Sequence, residues 1–150
     1  MKYLVAATLV CLIPALGLSR SAAAHFPATS GNIESEMHME PDDSIIAGRS
    51  ETIYFILSDT SGRFKMANCV CDLTISQGDQ AVYHASVLPA KLPSVYSSAG
   101  IPFNFSGGNY HFNLAAQPKI KEQFNPFQLN WSLNSTQQSR DEGLDWAIVS

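Results

Sequence analysis

The chain has 150 residues, of which 45% are hydrophobic and 15% charged, and its net charge is −4. That length supports one domain with a real core, and the composition excludes disorder, a coiled coil and a polytopic membrane protein. The negative balance argues against a nucleic-acid binder, because phosphate neutralisation needs a surplus of Lys and Arg.

Residues 1–24 have the layout of an export signal. Lys2 supplies a positive start, Tyr3 to Leu18 are almost wholly apolar, and Ala22 and Ala24 fit a small-x-small cleavage site. Cleavage after Ala23 satisfies the same rule through Ser21 and Ala23. The apolar run suits a signal h-region and c-region better than a membrane span, with a signal anchor as the competing reading. Cys11 comes too early for a lipoprotein anchor. Cleavage after Ala24 removes Lys2, Arg20 and Cys11, and the 126 residues left carry 7 basic against 13 acidic side chains. The expected product is periplasmic or secreted, with no membrane span after cleavage. Two cysteines are too few for a disulfide framework, so apolar packing must build the core.

Residues 25–32 read as an N-terminal arm, with Pro27, Ser30 and Gly31. Ile33 to Glu40 alternates apolar and polar residues, as a half-buried strand does. After the turn cluster Pro41-Asp42-Asp43-Ser44 and the break at 47–50, Glu51 to Asp59 is rich in aromatic and β-branched residues. Ala67 to Ser76 alternates with Cys69, Cys71, Leu73 and Ile75 on one face. Gly78-Asp79-Gln80 makes a hairpin-like link to a strand over 81–88. Residues 89–100 form a loop, Ile101 to Phe105 a short strand, and Tyr110 to Leu114 another. Phe127, Leu129, Trp131 and Leu133 mark the last. About seven strands at this spacing predict an all-β, immunoglobulin-like antiparallel sandwich over 33–134. Residues 135–150 read as a C-terminal tail, docking through Trp146.

Chemistry has three candidate seats. The first is His25: after cleavage at Ala24 its α-amine and imidazole can chelate one Cu(II), completed by His38, His84, His111, Asp42 or Asp43. The bland alternative is that His25 only marks where the signal ends. The second is Met37-His38-Met39, whose thioethers and imidazole suit copper. Strand alternation separates Met37 and Met39 from His38, so core packing competes with that role. Outward Glu34, Glu36, His38 and Glu40 form a row that is either a cation site or a solvated face. The third is Cys69-Val70-Cys71, whose sulfurs share a strand face. It can be a buried thiol pair, a disulfide or a soft-metal pair. His84 and His111 fall at polar strand positions, and the sequons at Asn104, Asn130 and Asn134 matter only in a glycosylating host. There is no nucleophile elbow, His-Glu-x-x-His, phosphate loop or Cys-x-x-Cys, so a non-enzymatic role is expected.

Gly-Gly-Asn-Tyr-His-Phe at 107–112 resembles the Gly-x-Tyr opening of the penultimate immunoglobulin-type strand, where the tyrosine hydroxyl bonds backbone at a corner. With the signal and the start at His25, residues 31–134 resemble exported immunoglobulin-like copper-resistance and YtkA-like periplasmic domains. The resemblance implies copper as the ligand, held through the amine and imidazole of the mature N-terminal histidine, here His25. That family's partner Asp and downstream His have no counterpart assigned here, and its Met-rich segment is represented by Met37-His38-Met39 alone. The expected function is an exported, possible copper-binding module, with a metal-free envelope protein interaction module as the alternative and a thiol-redox role for Cys69 and Cys71 as the third.

Overall fold

The computed structural model describes residues 25–91 and 94–135. Residues 1–24, read as an export signal, and the tail from 136 onward, with Trp146, lie outside the described residues. Eight strands are present among them: β1 Phe26–Ser30, β2 Ile33–Glu40, β3 Ser50–Asp59, β4 Cys69–Gln77, β5 Gln80–Ser86, β6 Ile101–Asn104, β7 Gly108–Pro118 and β8 Phe127–Ser135. A single 3-10 turn, Met66–Asn68, leads into β4.

The strands form two antiparallel sheets, ordered β1-β2-β3-β6 and β5-β4-β7-β8. Strands β2, β3 and β6 occupy the places of an immunoglobulin A-B-E sheet, and β5, β4, β7 and β8 those of C′-C-F-G. Strand β1 is an addition at the edge. The segment expected as a loose arm is therefore a strand. Its turn is Gly31-Asn32, with Gly31 at φ 60°, and Ser30 pairs Ile33 directly. Phe26 and Ala28 alternate with Pro27 and Thr29 and pack against the core, so the pattern of a half-buried strand begins seven residues before Ile33.

Alternation fills the space between the sheets. Phe55, Ile53, Leu73, Ile75, Phe112, Leu114 and Leu129 are all at most 1% exposed. Each fully buried side chain of this size contributes roughly 1.5–3 kcal/mol. Tyr110, also buried, carries the expected corner. Its hydroxyl accepts the Ser106 N–H at 2.8 Å and lies 3.2 Å from the Ser106 carbonyl oxygen.

The loop 89–100 does not wander from the sheet. Strand β6 covers only residues 50–53 of the β3 edge. Beyond it, Ser97 and Ser98 take over: both N–H groups donate to the Phe55 carbonyl oxygen, at 2.8 and 3.2 Å. The Ser98 and Ser97 hydroxyls accept the N–H of Phe55 and of Leu57, at 2.9 and 3.0 Å. The loop thereby blunts a free sheet edge and holds Tyr96 over the outer face.

Candidate metal centre

Strand register puts the first candidate residue where it can act. Phe26 pairs Met37 and His38 pairs Tyr54. One step before Phe26, His25 thus falls opposite His38. Antiparallel pairing and the two-residue side-chain period aim both rings to the outer face of the sheet. His25 Nδ1 lies 3.1 Å from each of the two ring nitrogens of His38. The ring centroids are 4.3 Å apart and the planes cross at 71°.

Two carboxylates flank His38. Glu36, two residues earlier on the same face, places Oε2 at 3.6 Å from Nε2. Asp43, from the turn after β2, places Oδ2 at 3.5 Å from Nδ1. One ligand atom each from His25, Glu36 and His38 lies within 4.8 Å of the other two. Imidazole nitrogen with carboxylate oxygen is a donor set that Cu(II) accepts, so these residues fit the ion that the sequence suggests.

His38 corrects an expectation. Its phase on β2 predicts a solvated side chain, yet it is only 6% exposed. The cause is a cover that alternation cannot register. Tyr96 lies 5.4 Å from the His38 ring and stacks on Tyr54 at 4.3 Å, and the Tyr96 hydroxyl donates to Glu40 at 3.2 Å. Burial, with Glu40 beside them, pushes both phenols above their usual range.

The turn that carries Asp43 is anchored by Arg49. Its guanidinium donates to both carboxylate oxygens of Asp42, to the Ser44 hydroxyl at 2.9 Å and, through Nε, to Glu51 Oε1. The Arg49 and Ser44 hydrogen bonds hold the Asp42 carboxyl down at about 2. Asp42 is thereby committed to Arg49, and it is Asp43 that reaches His38. Asp43 sits at φ 52°, a left-handed conformation that Asp tolerates, and its Oδ1 accepts the Met39 N–H at 2.6 Å.

The other candidates lie elsewhere. Met37 and Met39 are 0% exposed on the inner face, opposite His38, so they are core side chains and do not join the His25–His38 pair. His84 bonds Thr74 and His111 bonds Ser132 on the outer face of the other sheet. Cys69 and Cys71 are joined as a disulfide, and both are buried. Their Cα atoms are 5.5 Å apart, closer than a fully extended pleat sets residues two apart. The sequon residues Asn104, Asn130 and Asn134 are exposed.

Sequence reasoning placed Glu36 in one outward row with His38, as a cation site or a solvated face, and it missed Tyr54 and Tyr96 as the cover. Tyr96 was not legible, because only the loop's return to β3 brings it there.

No protein-family model matches the chain, and comparison with curated proteins and with solved structures returns no match. Among the described residues no helix is long and apolar enough to cross a membrane.

Proposed function

We propose that this chain is an exported β-sandwich module that binds a copper ion through His25 and His38, acting in the periplasm or as a secreted protein and without catalysis of its own. The observation that carries the reading is the 3.1 Å approach of His25 Nδ1 to the His38 ring with Glu36 beside it. Two further features support it. The β1–β2 register, which pairs Phe26 with Met37, puts His25 one step beyond the last pair and next to His38. Asp43 faces His38 Nδ1, which is the outer-shell partner that a ligating histidine commonly has. Export with processing after Ala24 adds the His25 α-amine to the donors on the same residue.

The test is a copper(II) titration of the mature protein, with mass spectrometry to read its first residue. We expect one equivalent bound, with strong loss of affinity in His25→Ala and in His38→Ala. Equal affinity in wild type and both variants overturns the reading. A mature chain that begins elsewhere than His25 removes the amine but leaves the two imidazoles to be tested by the same variants.

A further inference from the structure

We propose that reduction of the Cys69–Cys71 disulfide uncovers a second site, made of sulfur alone, that takes copper(I) through Cys69, Cys71 and Met66. It stands on different residues from the histidine pair and does not depend on that reading.

The three sulfurs are already neighbours. Cys69 Sγ is bonded to Cys71 Sγ, and Cys71 Sγ lies 3.9 Å from Met66 Sδ. Three sulfurs each about 2.3 Å from a central ion in a trigonal plane lie about 4 Å from one another. The Met66–Cys71 edge of that triangle is therefore in place. The Cys69–Cys71 edge must open, from a bond to about 4 Å, and Cα atoms 5.5 Å apart permit it by side-chain rotation.

Local sequence sets the arrangement. Met66 lies in the 3-10 turn directly before β4, and Cys69 and Cys71 are the first and third residues of that strand, on its inner face. All three are buried, at 9%, 6% and 2% exposure. Across the sheet Cys71 pairs Ala116, which pairs Phe127, and Phe127 packs against Phe64 and Phe124. The wall is apolar. Soft thiolate and thioether donors select copper(I), whereas Mg²⁺ and Ca²⁺ want oxygen. A three-sulfur set also falls one ligand short of the tetrahedron that structural zinc takes.

The chemistry balances with a dithiol as the reductant. One thiolate of the dithiol attacks a cystine sulfur, and the Cys69–Cys71 bond breaks. The second thiol of the reductant resolves the mixed disulfide. The reductant leaves as its own disulfide, and two electrons and two protons end on Cys69 and Cys71. Copper(I) then displaces the two thiol protons, and the Met66 thioether donates a lone pair without proton loss.

The test uses the full chain with Cys11→Ser, His25→Ala and His38→Ala, so that Cys69 and Cys71 are its only thiols and only the sulfur site is read. Copper(I) is presented without oxygen as its bicinchoninate complex, to oxidised protein and to protein reduced with dithiothreitol and desalted. We expect the reduced form to withdraw one equivalent and the oxidised form to bind at least about tenfold more weakly. In the reduced form, Met66→Leu should lower affinity about tenfold, and alkylation of both thiols should abolish uptake. Met66→Leu conserves volume and keeps the fold, which circular dichroism checks. Equal uptake by oxidised and reduced protein overturns the proposal. So does uptake that survives alkylation, or that Met66→Leu leaves unchanged.

Discussion

The Asp43 carboxylate bridges His38 and the backbone of its own turn: Oδ1 accepts the Met39 N–H at 2.6 Å while Oδ2 stands 3.5 Å from His38 Nδ1. With Nε2 given to an ion beside Glu36, a carboxylate there would hold the proton on Nδ1.

Asp43→Asn keeps the shape and tolerates the positive φ, but turns an amide N–H toward Nδ1 and favours the opposite tautomer. Copper(II) affinity should fall by roughly 10- to 100-fold, with little change in the urea midpoint. A titration in which Asp43→Asn equals wild type removes Asp43 from the site.

Arg49 and Glu51 form a pair whose acidic member is 1% exposed. Removing the cation leaves a buried carboxylate without its partner. Arg49→Met should therefore destabilise the fold by about 3 kcal/mol, and Arg49→Met with Glu51→Leu should recover most of that loss. Urea unfolding of the three proteins decides it. If the double variant is no more stable than Arg49→Met, buried charge is the wrong explanation.

The tyrosine corner is testable with one oxygen. Tyr110→Phe deletes the acceptor of the Ser106 N–H without altering ring packing against Phe105, whose centroid is 5.1 Å away. The expected cost is about 1–2 kcal/mol, read by denaturant unfolding. No change would mean that solvent replaces the hydroxyl fully.

Asp59 caps the turn after β3. Hydrogen bonds from the Ser61 hydroxyl and the Phe64 N–H hold its carboxyl down at about 2, against an ordinary 3.8. Since the folded value is the depressed one, this contribution is whole above about 3.8. It is lost as pH falls toward about 2. Asp42, held at about 2 through Arg49, acts in the same window and the same direction. In Asp59→Asn the thermal midpoint should decline less steeply with acid than in wild type. Parallel decline would show that the turn survives protonation intact.

The strands were legible because their chemistry is periodic. Ile33–Glu40 has the bounds that alternation predicts, and the inward set Cys69, Cys71, Leu73 and Ile75 lies in the core as expected. The strand β1 was missed because Pro27 and Ser30 suggested an arm, although Gly31-Asn32 is a two-residue hairpin signal. The site was half legible. His25 and His38 are both candidates from residue type, but their meeting depends on the pairing of β1 with β2. The burial of His38 depends on a tyrosine 58 residues further along the chain, which no local pattern encodes. Met66 beside the cystine was equally out of reach, since its sulfur is placed by a single 3-10 turn.

The Trp131 indole N–H donates to the Phe26 carbonyl oxygen at 2.8 Å, across the gap between the sheets. The residue next to His25 is thus stitched to β8, while the other side of β1 is paired to β2. An ion shared by His25 and His38 would act as a rivet at the strand end most prone to peel. Occupancy and resistance to heat then rise and fall as one equilibrium, so a melting curve taken with and without copper reports on both.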